Sequence, residues 1–268
     1  MLSLYIRNLR ESNFEMRDVN QIIHEDLQAK FRTLLHEETN LKSVLLQILV
    51  EGTAYLIGGY VRDMFEKKES RDLDIVVDIP HERLRSIVDA ENCKKQFNRM
   101  GGAKLLLKNI NVDIWSFDNN WAFKNELVKL NEKEKLNSLA KGCFYNYDAL
   151  VVNVSDFSYN IRYYENFTEK KELDILQKRA IYKNLNPTLE ANILRAVYLK
   201  KKYGVSYTEH LKYYIYLKMQ SLRDVYGDSV ERIMAVKEFY PKYGMIDRED
   251  IVNAFEELKR DMPQTLFD

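Results

Sequence analysis

Two carboxylates stand two residues apart in the apolar stretch DLDIVV, residues 72–77. Because side chains alternate across a β-strand, Asp72 and Asp74 are predicted to project from the same face. Neighbouring carboxylates repel each other unless a cation lies between them, and Mg²⁺ prefers a few carboxylates together with substrate phosphate oxygens. Asp113, between apolar residues of NVDIW, supplies a third acid on a neighbouring predicted strand. The three acids predict a catalytic metal site for two Mg²⁺ ions, the arrangement used in phosphoryl and nucleotidyl transfer.

A glycine pair and an arginine precede these acids in the segment GGYVRD. Gly58 and Gly59 allow a phosphate to approach the backbone closely, and the helix predicted to begin near Tyr60 offers unpaired N–H groups at its N-terminus. Arg62 lies in the first turn of that helix and can form a bidentate contact with a phosphate. Paired glycines or an Asp-x-Asp alone are common in structural roles, but their order here, with a third acid in a hairpin, favours a chemical function.

These groups need elements that bring them together. Apolar periodicity and turn residues predict, in order, a helical segment over 14–51 with Asp18 as N-cap and Gly52 as stop, a strand in TAYLIGG, a helix in YVRDMFEKK, the strand DLDIVVDIP, a helix in HERLRSIVDAENCKKQFNRMG and a hairpin in AKLLLKNINVDIWSF. A polar helix in NELVKLNEKEKLNSLAKG and strands in DALVVNVSD and YNIRYYEN follow. From Lys170 onward the pattern predicts mainly helices, with breaks at Asn186-Pro187, Gly204, Gly227 and 241–244.

This order predicts an α+β fold, in which a mixed sheet flanked by helices is followed by a helical C-terminal part. We expect an N-terminal helical extension over 1–52, a sheet-containing domain over 53–168 and a helical domain over 169–268. The 268 residues suffice for such an organisation.

Composition excludes several classes. The net charge is zero, so any nucleic-acid contact needs a local basic surface. Two cysteines are too few for a disulfide framework, and no secretory signal or membrane-spanning run is visible in the sequence. We therefore expect a cytoplasmic location and no membrane partner.

The segment GGYVRDMFEKKESRDLDIVV closely resembles the signature of the class II transfer-RNA nucleotidyltransferases, the CCA-adding enzymes, and of bacterial poly(A) polymerases. Both belong to the polymerase-beta-like nucleotidyltransferase superfamily. The resemblance implies a nucleotidyltransferase head domain in which Gly58, Gly59 and Arg62 lie at the triphosphate. It also implies that Asp72 and Asp74 ligate magnesium, and that Asp113 matches the third acid.

Weaker similarities extend the resemblance over roughly residues 54 to 204. FYNYDALVVNVSD is similar to the second motif of the family, with Asp148 where Asn is usual and without the preceding Arg-Arg-Asp. YYENFTEKKELDILQKRAI and NPTLEANILRAVYLKKKYG are similar to the segment before the helical neck and to the neck itself. At the two neck positions that read the incoming base in the family, this chain has Leu189 and Asn192. The resemblance implies nucleotide contacts for Asn192 and Arg195.

A segment of interleaved lysines and tyrosines allows two interpretations. It runs from Leu199 to Gln220, and its rings and cations match a surface for single-stranded nucleic acid. The alternative is an amphipathic helix whose tyrosines pack in a small core with their hydroxyls at the rim, and the zero net charge favours this second interpretation.

The function implied is metal-dependent transfer of a nucleoside monophosphate from an NTP such as ATP to an acceptor hydroxyl, with the 3′ end of a transfer-RNA-like RNA as the leading acceptor and RNA as the expected partner. Because the second and neck motifs depart from the family pattern, two alternatives stay open. The first is a nucleotidyltransferase that modifies a small molecule or a protein. The second is an inactive module that binds a nucleotide or RNA.

Overall fold

The computed structural model describes residues 19–182 and 189–261. The chain divides into two compact units, with the division between Glu165 and Asn166. The first unit contains a seven-stranded mixed sheet with helices, and the second consists mainly of helices. The predicted α+β class is confirmed. The helices that precede the sheet belong to the first unit, where the sequence suggested a separate extension.

Helical structure before the sheet is interrupted where one long helix was predicted. It consists of Val19–Gln21, the π-helical Ile22–Leu27, helix α1 (Gln28–Glu37) and helix α2 (Thr39–Glu51). Glu38 breaks the run with φ −107° and ψ 77°. Its buried carboxylate accepts a 2.7 Å hydrogen bond from the backbone N–H of Asn109, so a tertiary contact stabilises the break. Gly52 follows the last helical residue as predicted, and Asp18 lies outside the described residues.

The sheet of the first unit has the order β3-β4-β5-β2-β1-β6-β7. Its strands are β1 (Ala54–Ile57), β2 (Asp72–Val77), β3 (Lys94–Phe97), β4 (Ala103–Leu106), β5 (Asn111–Ser116), β6 (Val151–Asn153) and β7 (Tyr159–Asn160). The β2–β5 pair is parallel, whereas the other five pairs are antiparallel. The predicted hairpin is confirmed as β4 and β5.

The two faces of strands β2 and β5 differ in chemistry. Leu73, Ile75, Val112 and Ile114 are completely buried and form the core side of these strands. Because side chains alternate along a strand, the intervening residues face the opposite side. That opposite side carries the acids, and burial of the apolar set fixes the register that places them there.

The helices of the first unit are α3 (Gly59–Phe65), α4 (His81–Ala90), α5 (Trp121–Lys124) and α6 (Lys135–Gly142), and α7 (Arg162–Lys170) begins in this unit and crosses the division. Three sequence predictions about the elements after β2 were wrong. The helix expected from His81 to Gly101 ends at Ala90, because residues 94–97 pair with β4 as an edge strand. The helix expected over 125–142 covers only its last part, α6.

The strand expected in YNIRYYEN is the third wrong prediction. Only Tyr159 and Asn160 pair with the sheet. The side chain of Asn160 then accepts a 3.3 Å hydrogen bond from the backbone N–H of Arg162, which favours the start of helix α7. Ile161, Tyr164 and Phe167 are buried at a helical spacing of three, so packing favours the helix over a longer strand.

The second unit is built from helices α8 (Leu189–Tyr203), α9 (Glu209–Tyr226), α10 (Ser229–Lys237) and α11 (Arg248–Asp261) with a short parallel pair, β8 (Glu172–Leu173) and β9 (Ser206–Tyr207). Gly204 and Gly227 follow α8 and α9 with φ of 64° and 81°, a conformation that favours glycine, so the two breaks predicted there are confirmed. The break predicted at Asn186-Pro187 lies outside the described residues. None of the helices that the structure describes is long and apolar enough to cross a membrane.

Candidate active site

Parallel pairing of β2 and β5 brings the predicted acids together. Asp74 lies directly opposite Asp113 in the register, and Asp72 lies opposite Asn111. The amide nitrogen of Asn111 donates a 3.3 Å hydrogen bond to Asp72 Oδ1. Asp72 and Asp74 share one face of β2, and we call Asp72, Asp74 and Asp113 the acid face. The three acids therefore lie side by side at the start of two neighbouring strands.

Asp74 is a buried carboxylate among other acids. Burial, together with the negative charges of Asp113, Asp148 and Asp72, raises its pKa to about 6. Lys104 offsets only part of this repulsion. A carboxylate held among like charges in this way is a place where a bound cation lowers the electrostatic energy.

Lys104 on strand β4 is a member of the site that the sequence did not reveal. It lies opposite Asp113 in the antiparallel β4–β5 pair, and its Nζ is 2.9 Å from Asp113 Oδ2. This hydrogen bond raises the pKa of the Lys104 ammonium, although burial opposes the effect. The sequence signal for Lys104 was a single charged residue between the apolar residues of AKLLL. Only the register of the hairpin shows that this lysine lies opposite Asp113.

Gly58 and Gly59 form the turn between β1 and α3. Gly58 has φ 71° and ψ −115°, so this turn favours glycine. Its N–H donates a 2.9 Å hydrogen bond to the carbonyl of Leu150, the residue before β6. The turn follows Ile57, which is the register partner of Asp74. The structure therefore places the glycines next to the acid face, as the sequence suggested.

Arg62 on α3 lies between a carboxylate and an aromatic ring. Its Nη1 donates a 2.9 Å hydrogen bond to Asp148 Oδ1, and its guanidinium carbon lies 4.2 Å from the ring centre of Tyr147. The nearest oxygen of Asp63 is 4.0 Å from Nη2. Burial lowers the pKa of Arg62, but Asp148, Tyr147, Asp63 and Glu66 together outweigh this effect, so the net pKa lies above its usual value. The sequence pointed to position 148 through the second motif, but not to its contact with Arg62.

The neck residues lie in the second unit, on helix α8. The side chain of Asn192 forms a hydrogen bond with Tyr214, and Arg195 is half-buried. Glu190, near the start of the same helix, accepts a 2.7 Å hydrogen bond from Arg232 on α10. Nucleotide contacts for Asn192 and Arg195 stay predictions.

The lysine- and tyrosine-rich segment behaves as a packed helical region. Tyr207, Tyr214 and Tyr216 are buried. Lys200 and Lys201 pair with Glu257 and Asp250 of helix α11, each at 2.5 Å. These contacts favour the packing interpretation over a surface for single-stranded nucleic acid.

The residues of the acid face fit a hard divalent cation in donor type and in charge. Carboxylate oxygens are the ligands that Mg²⁺ prefers, and the crowding around Asp74 favours a cation. Among residues 19–182 and 189–261, however, no three His, Cys, Asp or Glu side chains converge on one point, and Asp113 is paired with Lys104. Metal binding by the three acids therefore stays a prediction.

Comparison with known families agrees with this geometry. Residues 54–141 match the family model described as the poly A polymerase head domain, a segment that runs from β1 almost to the end of α6. The fold and the family match confirm the predicted resemblance of the first unit to the head domain of the CCA-adding and poly(A) polymerase-like nucleotidyltransferases.

Several solved structures with a similar fold are CCA-adding and transfer-RNA-processing enzymes. The Thermotoga maritima CCA-adding enzyme complexed with tRNA has 16% identity and a TM-score of 0.57, and the match covers 91% of this chain and 54% of that one. A CCA-adding enzyme with ATP has 17% identity and a TM-score of 0.58, with 90% and 55% covered. A tRNA nucleotidyltransferase complexed with a primer tRNA and an ATP analogue has 15% identity and a TM-score of 0.55, with 81% and 60% covered.

This chain thus spans little more than half the length of the solved structures it matches. A comparison with curated proteins gave no match. The structural likeness establishes the fold, and the evidence for a reaction comes from the residues of this chain.

Proposed function

We propose that the protein is a metal-dependent nucleotidyltransferase that transfers a nucleoside monophosphate from an NTP to an acceptor hydroxyl and releases pyrophosphate. Asp72 and Asp74, with Asp113, would hold Mg²⁺. Gly58, Gly59 and Arg62 would bind the triphosphate. Bound Mg²⁺ would supply neutralisation of the charge on the phosphates and on the leaving group.

The observation that carries this proposal is the placement of Asp74 opposite Asp113 on parallel strands. A cluster of carboxylates whose repulsion is only partly offset destabilises a fold, so its presence beside a glycine turn and an arginine supports a ligand that is itself cationic or carries cations. A nucleoside triphosphate with its Mg²⁺ is such a ligand.

The proposed reaction balances as a single displacement. The acceptor oxygen forms a bond to the α-phosphorus of the NTP, and the bond between that phosphorus and the bridging oxygen toward the β-phosphate breaks. Pyrophosphate leaves with the electron pair. We assign Asp113, which adjoins both Asp74 and Lys104, as the carboxylate that accepts the hydroxyl proton. The residues of this chain thereby bind the phosphates, orient the α-phosphorus and remove one proton.

The acceptor we propose is the 3′ end of an RNA of transfer-RNA type. Support comes from the fold, which this chain shares with CCA-adding enzymes solved with tRNA or with a nucleotide. The neck offers less support, because Glu190 is engaged by Arg232 and Leu189 has no polar group to read a base edge. Selection of the base is therefore expected to differ from the family pattern.

The experiment incubates the purified protein with MgCl₂, each radiolabelled NTP in turn and deproteinised cellular RNA, and sequences the extended 3′ ends. We expect label in RNA with one or two NTPs and none after replacement of both Asp72 and Asp74 by alanine. Asp89→Asn serves as the matched control, because Asp89 is an exposed acid on α4 that pairs with Arg85. Undiminished labelling by the double variant would contradict the assignment.

Parallel reactions with total protein and with small hydroxylated compounds test the alternative acceptors. Label confined to one of those fractions would keep the reaction type and replace the RNA acceptor. Mg²⁺-dependent NTP binding with no label in any fraction would instead indicate a binding module.

A further inference from the structure

We propose that Asp148 is a positioning residue that holds the guanidinium of Arg62 in the orientation that binds the triphosphate. The inference rests on the proposed function, since it concerns the phosphate-binding half of the same site. It assigns a role to a residue outside the glycine turn and the acid face.

The contact between Asp148 and Arg62 is short and sheltered. Asp148 Oδ1 lies 2.9 Å from Arg62 Nη1, and the two side chains are only 16% and 13% exposed. The ring of Tyr147 covers the guanidinium at 4.2 Å. A hydrogen bond between ionised groups in such surroundings is stronger than a neutral one and is screened little by salt. Arg62 is therefore fixed from two sides.

Asp148 is itself fixed relative to the glycine turn. It is the last residue of the 3₁₀ turn Asn146–Asp148, shortly before β6. The carbonyl of Leu150 accepts the hydrogen bond from the N–H of Gly58, and β6 pairs with β1. The sheet thereby ties the carboxylate that holds Arg62 to the turn that begins the predicted phosphate site.

We call the contact between Asp148 and Arg62 the Asp148 clamp. It engages one nitrogen of the guanidinium and leaves a different edge of the group open to a ligand. Nη1 donates to Asp148, whereas Nε is buried without a hydrogen-bond partner. Nη2 lies 4.0 Å from Asp63, beyond hydrogen-bond distance, and 3.6 Å from where a Cβ on Gly59 would lie. Nε and Nη2 form one planar edge, the edge that binds two oxygens of a phosphate at once. A buried donor without a partner costs free energy, which a phosphate oxygen at this edge would recover.

The test measures binding of inorganic tripolyphosphate in the presence of MgCl₂ by isothermal titration calorimetry, which removes any dependence on the base. We expect Arg62→Ala to weaken binding most. Asp148→Ala is expected to weaken it roughly tenfold, the equivalent of one hydrogen bond to a charged group. Asp148→Asn keeps an acceptor for Nη1 and should stay within about threefold of the unmodified protein.

Asp63→Ala is the matched control, because it removes the other carboxylate near Arg62 without removing a hydrogen bond, and its binding should be unchanged. In the Arg62→Ala background, Asp148→Ala should have no further effect, which separates positioning of Arg62 from a general structural role. If Asp148→Ala does not fold, Asp148→Ser replaces it, since a serine hydroxyl is too short to reach Nη1.

The outcomes distinguish a failure of the positioning role from a failure of the proposed function. Normal binding by Asp148→Ala, with weak binding by Arg62→Ala, would overturn the positioning role and leave the proposed function intact. Equal loss in Asp148→Ala and Asp148→Asn would also overturn it. Normal binding by Arg62→Ala would overturn the triphosphate site itself.

Discussion

The acid face of the first unit and the helices of the second unit use charged residues in opposite ways. In the second unit acids face bases, as in Glu190 with Arg232 at 2.7 Å and Lys200 with Glu257 at 2.5 Å. On the acid face of the first unit, Asp74 faces other carboxylates, and the nearby Lys104 offsets only part of the repulsion. Paired charges contribute to the stability of the fold, whereas crowded like charges reduce it and are retained where a ligand needs them.

This contrast predicts that one kind of substitution has opposite effects in the two units. Replacing a carboxylate by its amide removes a charge and changes the volume little. On the acid face the change removes repulsion, while in the second unit it removes half of an ion pair.

The largest effect is expected for Asp74→Asn. Loss of this carboxylate should lower nucleotide incorporation at least about a hundredfold, because charge neutralisation by a bound metal contributes several kcal/mol. The same variant should raise the free energy of unfolding by about 2 kcal/mol, since burial and three acids disfavour the ionised form. Labelling assays and urea titration at pH 7 measure the two effects.

Added MgCl₂ provides the control for this prediction. It should raise the thermal midpoint of the unmodified protein and leave that of Asp74→Asn nearly unchanged, because ligand binding to the folded state alone stabilises it. An Asp74→Asn protein that is less stable than the unmodified one would show that Asp74 belongs to a satisfied structural contact.

Measuring the free energy of unfolding as a function of pH should reproduce most of the stabilisation predicted for Asp74→Asn. The folded-state pKa of Asp74 is about 6, above the ordinary value of 3.8, so the folded state binds its proton more tightly than the unfolded state does. Protonation of Asp74 therefore stabilises the fold below about pH 4, and this contribution is lost as the pH rises to about 6. The difference in unfolding free energy between Asp74→Asn and the unmodified protein should grow by about 2 kcal/mol across this window. A difference that is constant from pH 4 to 7 would contradict the crowding.

In the second unit, Glu190→Gln should lower the free energy of unfolding by roughly 1 to 2 kcal/mol. The Glu190 side chain is 10% exposed, and the change removes the charge that pairs with Arg232 and connects α8 to α10. Thermal unfolding measures the loss. An increase in stability comparable to that of Asp74→Asn would remove the distinction between the two units.

The smallest effect is expected for Glu231→Gln, also in the second unit. Glu231 and Arg248 are 61% and 58% exposed, and pairs of this kind contribute from zero to about 0.5 kcal/mol. The thermal midpoint of Glu231→Gln should match that of the unmodified protein within error. A loss as large as that of Glu190→Gln would indicate a wider network of charges around α10.

The sequence predicted the acid face because its information is local. Alternation along DLDIVV places Asp72 and Asp74 on one face, and apolar neighbours place Asp113 in a strand. Pairing of β2 with β5 was not readable in this way, because it joins segments 39 residues apart. Lys104 and the Asp148 clamp were missed for the same reason, since both depend on register and on the return of β6 to β1.

The element errors have a related cause. Residues 94–96 are polar and follow shortly after a true helix, so their composition does not indicate a strand. Pairing with β4 at the edge of the sheet makes residues 94–97 one. Glu38 interrupts a strong helical pattern because its carboxylate binds the backbone of the distant residue Asn109. In both places tertiary contacts override local propensity.

The parallel pairing of β2 and β5 also bears on how the protein folds. Parallel strands cannot be joined by a tight turn, so the whole segment that forms α4, β3 and β4 lies between Asp74 and Asp113 along the chain. Contacts between such distant segments form slowly, because the entropy of closing the intervening loop is lost before the contact is gained. The acid face is thus assembled only once β2 and β5 have paired, and in a chain that emerges during synthesis Asp113 stays apart from Asp72 and Asp74 until then.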